Sequence, residues 1–356
     1  MRITADQALA WRLERQFLSP RENVSRADIV RRLGGVQSQV ASAAETSIAT
    51  RQQTPGAASP ENDALIRTWA MRGTLHLCHS SQLADVLSLL AASRTWTKPS
   101  WQKTFGATPD EIDQLAEAVR ELLGDGNPMT RDELVTCLVA ESRFADLETE
   151  LRSGWGALLK PLAWQGALCH GPARGSRITF TTPSALIPGW SGLPSPDDAA
   201  PSVITTYLGA FGPAPATTFD NWLIRGVTRK SMLRSWFTGM GDRLTEVSVD
   251  GQSAFVLSEH ADELAATKPS RAVHLLGPFD AYVLGATTKD TWMLPAEHRD
   301  RISRAAGWIA PVILSGGRVV GTWELEHGDV VTEFFPGEKV LSRRALAAEV
   351  DRVTGH

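Results

Sequence analysis

The order of the predicted elements repeats along this chain, and the repetition constrains the fold more than any single motif does. In the first part, apolar residues recur at helical spacing, and a Ser-x-x-Asp pattern at Ser25 and Asp28 marks the start of a second helix. Three helices are predicted there: one over residues 5–17, one that starts at Ser25, and one that starts near 36–39 and runs to 52. After a loop over 54–62, a short helix from Asn62 and a strand over 72–79 are predicted. Helices followed by a β element are typical of the winged helix, a relative of the helix-turn-helix.

The same order returns twice more. Asn127 and Thr130 precede a predicted helix over 130–141, a longer helix is predicted over 151–168, and two strands from Leu168 flank a polar turn at 171–177. A third copy is predicted after a linker rich in Pro, Gly and Ser at 186–202. Its elements are helices over 202–212, 217–224 and 228–239, followed by strands over 244–251 and 253–259.

The last third of the chain is richest in predicted strands. These cover residues 272–276, 280–286 and 310–335, with a hairpin turn at Gly316-Gly317, before a closing helix over 342–353. We therefore predict an α+β fold of three tandem winged-helix (helix-turn-helix) units with a strand-rich C-terminal part. The predicted domains are residues 1–125, 126–198 and 199–356, the last including the hairpin.

Composition narrows the class of protein. A chain of 356 residues with 42% hydrophobic residues can bury more than one core, so global disorder is not expected. There is no apolar stretch long enough to predict a membrane helix and no signal-peptide pattern. Three cysteines without a CxxC pair predict neither a disulfide scaffold nor a zinc finger, so we expect a reducing cytoplasm.

The net charge of −4 does not exclude nucleic acid as a partner, because a local basic face is what matters. One basic run, formed by Arg225, Arg229, Lys230 and Arg234, has no acidic residue within it. Such a run is either a solvated face or a binding patch for phosphate.

Most familiar catalytic motifs are absent. The chain has no phosphate-binding loop, no dinucleotide fingerprint, no HExxH and no GxSxG. His76, Cys78 and His79 lack a second pair of ligands, which favours packing over a metal site. Glu324 and Glu326 would share a strand face, and a solvated hairpin face explains them better than catalysis does. We predict no metal and no cofactor.

One segment, residues 33–45, combines a backbone break with paired amides. Gly34-Gly35 interrupts the second helix just before Gln37 and Gln39. Two side chains two positions apart diverge on a helix but point the same way in an extended segment. The amides therefore either converge at a turn-to-helix junction or are ordinary surface amides on a polar turn.

This segment, together with residues 71–77, 275–285 and 316–325, resembles the tandem winged-helix DNA glycosylases, and more narrowly their AlkZ branch. The resemblance implies three winged helices in a C-shaped molecule around a concave DNA face. It maps the family's catalytic Gln–apolar–Gln motif onto Gln37 and Gln39. The middle residue here is Ser38, which departs from the family and affects the packing behind the motif. A sister branch has Asp at the second position, so Gln39 favours the branch that unhooks azinomycin-type crosslinks in antibiotic producers.

The implied activity is a monofunctional DNA glycosylase for cationic N7- or N3-alkylated purines, giving self-resistance and DNA repair. Two neutral amides suit a substrate whose base is already a good leaving group, because the remaining task is to place a water and stabilise the sugar. No lysine lies in residues 1–97, which disfavours a lyase step. The expected partner is double-stranded DNA with alkylated purines or interstrand crosslinks, bound by a monomer at the nucleoid, with no membrane.

Candidate DNA contacts come from turns and strand edges. A crosslinked purine cannot be flipped freely, so we expect a probing hairpin with Ser315, Gly316, Gly317 and Arg318 at its tip. Arg72, Arg174 and Arg177 are predicted phosphate contacts, although each could be a solvated arginine.

Other functions stay open at this point. One is a non-enzymatic winged-helix regulator or a protein that binds drug–DNA adducts, and another is an interaction scaffold. The helix after Gly35 is poor in residues that read bases, which disfavours sequence readout.

Overall fold

The structure, a computed structural model, describes residues 1–54, 64–154 and 156–354. In these ranges it combines many helices with small sheets, so the α+β prediction is confirmed. The predicted start of the short helix at Asn62, and most of the loop before it, lie outside the described residues. None of the described helices has the length and apolar character needed to cross a membrane.

The first segment holds helices α1 to α6 and strands β1 to β4. In chain order these are β1 Arg2–Ile3, α1 Ala5–Arg15, α2 Arg26–Arg32, β2 Val36–Gln37, α3 Ala41–Ala49, β3 Leu65–Trp69, β4 Leu75–His79, α4 Ser80–Ala92, α5 Pro99–Phe105 and α6 Pro109–Leu122. Local capping explains several of the starts. Thr4 forms a capping box with Gln7, and the Ser25 hydroxyl accepts a hydrogen bond from the Asp28 N–H, as the Ser-x-x-Asp pattern predicts.

Two predictions for this segment are wrong. The third helix begins at Ala41, because Val36 and Gln37 pair with β4 as a short antiparallel strand. Strand β3 was not expected, and it pairs with β4 from Leu65 to Trp69. Both differences have one cause: β4 offers backbone groups on both edges, and neighbouring segments satisfy them. The sheet order is β2-β4-β3.

The second segment repeats this layout. Its elements are β5 Met129–Thr130, α7 Arg131–Val139, α8 Glu148–Arg152, α9 Leu159–Trp164, β6 Cys169–Arg174, β7 Arg177–Thr181 and α10 Pro183–Leu186. The predicted long helix over 151–168 is wrong, since α8 ends at Arg152 and α9 starts at Leu159. Gly156 lies in this gap with φ 61°, and a Cβ there would lie 2.6 Å from the Trp69 ring. A regular helix would not permit this close approach.

The third segment begins earlier than predicted. Ser195 caps α11 Pro196–Phe211, so the second half of the expected linker is helical. The other elements are α12 Ala216–Ile224, α13 Lys230–Gly239, β8 Leu244–Val249, β9 Gln252–Leu257 and α14 Ala261–Ala266. Strand β1 pairs in parallel with β8, Arg2 facing Ser248 and Ile3 facing Val249. The first residues of the chain thus complete the third sheet, across the predicted boundaries at 125 and 198.

The C-terminal part is a four-stranded antiparallel sheet with a helix on it. Its elements are β10 Val273–Leu276, α15 Ala281–Ala286, α16 Arg299–Ile302, β11 Val312–Ser315, β12 Arg318–Glu326, β13 Asp329–Phe334 and α17 Arg343–Thr354. The strand predicted over 280–286 is wrong, because this stretch forms α15. Asp280 caps it, accepting a hydrogen bond from the Tyr282 N–H at 2.8 Å. Buried side chains form a continuous core that reaches from Phe17 to Ala281.

Candidate active site

Gln37 and Gln39 lie side by side along the start of β4. Gln37 ends β2 and is 7% exposed. Its Oε1 accepts hydrogen bonds from Arg72 Nη2 at 3.1 Å and from Thr74 Oγ1 at 3.3 Å. Gln39 is exposed, and its Oε1 accepts from the Leu75 N–H at 3.3 Å. Both amides thus contact the residues at the start of β4, just ahead of α3, and their convergence on one point stays a prediction.

The glycine pair makes this approach possible. Gly34 and Gly35 have φ of 63° and 123°, a region that favours glycine. A Cβ on Gly35 would lie 2.7 Å from the Met71 Cε, so a larger residue would require the Met71 side chain to shift. Between the two glutamines, Ser38 is buried and binds the sheet through its backbone. Its N–H donates to the Leu75 carbonyl at 2.7 Å, and its carbonyl accepts from Arg67 at 2.8 Å.

The donors around the amides fix which way each amide points. A guanidinium and a backbone N–H can only donate, so the amide oxygens of Gln37 and Gln39 must face them. Each NH₂ group is consequently turned away from these donors. The Gln37 oxygen already accepts two hydrogen bonds, whereas the Gln39 oxygen keeps a second lone pair that can accept another. The pair thus offers both donors and acceptors without carrying a charge.

The electrostatic environment is positive. Burial, and secondarily Arg225, lower the pKa of Arg72 to about 10, which leaves it charged at neutral pH. Burial, and secondarily Arg72, lower the pKa of His76 to about 3, so His76 is neutral. Among the residues that the structure describes, no carboxylate bonds to either glutamine or to Arg72. The site therefore lacks a strong general base among these direct contacts.

Helix α3, which follows the glutamines, is anchored to the C-terminal part by a buried ion pair. Arg51, two residues after α3, contacts Asp280 at 2.8 Å, and neither side chain is exposed. Ser47 donates to the same carboxylate at 2.9 Å. Because breaking one partner of such a pair leaves a buried charge alone, this contact fixes α3 against α15.

The three predicted phosphate-binding arginines have different surroundings. Arg72 lies at the glutamines and also donates to the Trp222 carbonyl at 3.1 Å. Arg174, on the turn between β6 and β7, pairs with Glu133 at 2.9 Å and with the Pro128 carbonyl. Arg177, on the same turn, is exposed, and within the described ranges no carboxylate pairs with it. Of the two turn residues, only Arg177 therefore has its charge uncompensated.

The packing of the turn at 315–318 contradicts the prediction that this hairpin probes DNA. The turn 315–318 is buried at Ser315, Gly316 and Gly317, and Arg318 pairs with Glu338 at 3.3 Å. The Gly317 carbonyl accepts from Tyr282 Oη at 2.8 Å, and a Cβ on Gly317 would lie 2.8 Å from the Leu9 Cβ. Helix α1 covers this tip, so in this structure it cannot probe DNA.

A different hairpin projects into solvent. Strands β12 and β13 turn at His327-Gly328, and the nearby Leu325 is 54% exposed. Glu324 and Glu326 lie on this exposed part, and Glu324 pairs with Arg304 at 3.6 Å, consistent with a solvated face. Within the described ranges, no group of three potential ligands suits a metal ion.

Sequence reasoning did not place Thr74, Lys160 and Arg225 beside the glutamines. Thr74 completes the hydrogen bonding of Gln37. Lys160 and Arg225 come from α9 and from the end of α12, and each interacts electrostatically with the other. The basic run at Arg225 was a visible signal, but its proximity to Gln37 depends on tertiary packing.

The chain is similar to known DNA glycosylases over its whole length. A family model described as DNA glycosylase AlkZ-like matches residues 30–356. A protein of Streptomyces sahachiroi named interstrand DNA cross-link repair glycosylase is 52% identical, with 100% of this chain and 98% of that protein covered. A solved structure, Streptomyces sahachiroi DNA glycosylase AlkZ, superposes with a TM-score of 0.94 at 51% identity, over 100% of this chain and 98% of the other.

Proposed function

Because this chain belongs to the AlkZ-like DNA glycosylase family, we propose that it hydrolyses the N-glycosidic bond of cationic N7- or N3-alkylated purines in duplex DNA. We further propose that it unhooks interstrand crosslinks, including those of azinomycin type, and so provides DNA repair and self-resistance. The relative at 52% identity bears the name of a crosslink repair glycosylase, which supports this substrate class.

The single observation that carries the proposal is the pair of oriented amides. Gln37 and Gln39 have their carbonyl oxygens held by Arg72, Thr74 and Leu75. Preorganised dipoles stabilise a developing charge without having to reorient during the reaction. Gln39 is exposed, so a group on the DNA can reach it directly.

The chemistry needs no strong acid or base. The cationic purine leaves with the electron pair of the glycosidic bond and becomes neutral, while positive charge develops on the sugar. A water held by the free lone pair of the Gln39 amide oxygen and by the NH₂ group of Gln37 adds its oxygen to C1′ and loses a proton to solvent. The products are the free alkylpurine and an abasic site. No chain amine forms a bond to the sugar, so no lyase step occurs.

Crosslinked substrates explain why an exposed site suits this enzyme. A purine tethered to both strands cannot rotate out of the helix into a deep pocket. The glutamines must instead approach the base from a groove. Gln39 lies at the surface and Gln37 directly behind it, which fits an approach of this kind.

The wider architecture supports duplex binding. We propose that the three helix-and-sheet segments are winged helices arranged in a C shape around the DNA, and that the protein acts as a monomer in the cytoplasm. The first two segments each place a three-stranded sheet beside their helices, and the two strands of the third segment form such a sheet together with β1. Arg177 on the β6–β7 turn and the run Arg225, Arg229, Lys230 and Arg234 supply exposed positive charge for the phosphates.

Base release from defined DNA tests this function. Duplexes with a single N7-alkylguanine or a single N7–N7 crosslink are incubated with the protein, heated in alkali and separated on a denaturing gel. We expect strand cleavage at the lesion and loss of the crosslinked band. The variant Gln37→Ala/Gln39→Ala should lose this activity, whereas Gln53→Ala, at an exposed glutamine just after α3, should keep it.

Two outcomes would contradict the proposal. Retained cleavage by the double variant would show that the amides are not the catalytic groups. Tight binding of the damaged duplex without any base release would instead support a non-enzymatic protein that binds adducts.

A further inference from the structure

Three cations from separate parts of the chain meet beside Gln37. Arg72 lies in the turn before β4, Lys160 in α9, and Arg225 directly after α12. Arg72 bonds both to Gln37 and to the carbonyl of Trp222, near the end of α12. A Cβ on Gly73 would lie 3.7 Å from the Lys160 Cδ, so α9 contacts the same turn.

These cations are uncompensated. Over the described part of the chain, none of the three side chains forms an ion pair with a carboxylate. By contrast, the buried Arg51 and Arg12 each contact an aspartate. Burial is the main cause of the lowered pKa of both Arg72 and Lys160, and repulsion by Arg225 adds to it in each case. Mutually repelling, partly buried cations are stabilised when an anion joins them.

The anion that fits is a phosphate of the DNA backbone. Guanidinium groups bind phosphate oxygens in pairs, and an ammonium adds a point charge. Arg225 is exposed, and Lys160 is only partly buried, so the cluster is open to solvent. A duplex whose damaged base approaches Gln39 carries a phosphate on each neighbouring nucleotide.

We propose that Arg72, Lys160 and Arg225 form a binding site for one backbone phosphate beside the lesion, and that Arg72 links this phosphate to Gln37. The proposal rests on the function proposed above. The phosphate neutralises charge that would otherwise oppose the positive charge developing on the sugar. Arg72 is a positioning residue in this scheme, since it acts on the reaction through Gln37.

The first experiment measures how binding depends on salt. The affinities of wild type, Lys160→Gln, Arg225→Gln and the double variant for an undamaged duplex are measured by fluorescence anisotropy over a range of salt concentrations. Losing one phosphate contact should reduce the slope of log Kd against log salt by about 0.9. Arg2→Gln, at an exposed strand arginine, is the control for charge removal and should leave the slope unchanged.

The second experiment identifies the phosphate. Neutral methylphosphonates replace single phosphates on either side of an N7-alkylguanine, one duplex at a time. Wild type should lose affinity on the order of 10-fold at one position, which corresponds to about 1.4 kcal/mol. The Lys160→Gln/Arg225→Gln variant should show a smaller loss there, because only Arg72 remains of the three cations.

The results separate this proposal from the glycosylase function. The phosphate site is overturned if methylphosphonate substitution lowers the affinity of wild type and of the double variant equally at every position, or lowers neither. So does an unchanged salt slope in a double variant whose thermal unfolding matches wild type. Failure of base release by wild type would overturn the proposed function, whatever the binding experiments show.

Discussion

Arg72 donates a hydrogen bond to the Oε1 of Gln37 at 3.1 Å from a left-handed backbone conformation with φ 58°. A non-glycine residue in this region carries strain of about 1–3 kcal/mol. Its other guanidinium nitrogen bonds to the Trp222 carbonyl at 3.1 Å. One residue therefore connects the turn before β4, helix α12 and the first glutamine.

Replacing Arg72 should slow base release more than it destabilises the protein. In Arg72→Gln, the Gln37 oxygen loses a charged donor, an interaction worth about 1.5–3 kcal/mol. We expect the single-turnover rate on a saturated N7-alkylguanine duplex to fall about 10- to 100-fold. The rate of Arg72→Lys should lie between those of wild type and Arg72→Gln, because an ammonium keeps the charge but lacks the planar guanidinium fork. A rate equal to that of wild type would show that Arg72 does not position Gln37.

Gln37→Ala and Gln39→Ala should differ in stability although both lose activity. Gln37 is buried, and its removal leaves Arg72 Nη2 without this acceptor, whereas Thr74 Oγ1 can still donate to the Met71 carbonyl at 3.2 Å. The free energy of unfolding should fall by about 1–3 kcal/mol in urea titrations. Gln39 is exposed, so Gln39→Ala should change stability by less than about 0.5 kcal/mol. Equal losses of stability would contradict the different burial of the two amides.

Alanine substitutions at two glycines in hairpin turns should distinguish the cost of a steric clash from the cost of backbone strain. Gly317 and Gly328 have φ of 89° and 99°, but only Gly317 has neighbours that a Cβ would strike. Gly328→Ala should cost about 1–2 kcal/mol through its conformation alone. Gly317→Ala should cost about 1–3 kcal/mol more, because it is pressed against Leu9. Chemical denaturation of both variants measures the difference, and equal losses would contradict the packing of this turn on α1.

Acid should destabilise the protein below about pH 6.5 through buried histidines. Burial is the main cause that lowers the pKa of His76, His170 and His274 to about 3. In the unfolded chain these groups bind a proton near pH 6.5, so the neutral folded form is favoured above that pH. The stability they contribute is lost as the pH falls from 6.5 towards 3.

Each histidine should contribute a slope of up to about 1.4 kcal/mol per pH unit in that window. Urea titrations from pH 7.5 to 5 measure the total, and His274→Gln should show a shallower slope than wild type. Stability that is constant over this range would mean that these side chains are protonated in the folded state.

Local signals in the sequence were enough for much of the secondary structure. Thr4, Ser25 and Thr130 cap helices through their own side chains. Gly34 and Gly35 adopt positive φ angles that end the preceding helix. The Gly316-Gly317 turn was predicted for the same reason, because its backbone angles suit glycine. Family resemblance then assigned Gln37 and Gln39 a catalytic role, which stays a proposal here.

Other features depended on partners far away in the sequence. Residues 280–286 have strand-like composition, yet they form α15, where Asp280 caps the helix and pairs with Arg51. The turn at 315–318 had every local sign of an exposed tip, but α1 covers it.

The amino-acid sequence by itself determined where helices start, where the chain turns and which two amides adjoin, because these follow from interactions within a few residues. Only the tertiary structure decided that β1 joins the third sheet, and that Arg72, Lys160 and Arg225 meet beside Gln37. Contacts between residues far apart in the sequence form only when long loops close around a shared core, so a local sequence pattern does not predict which residues meet.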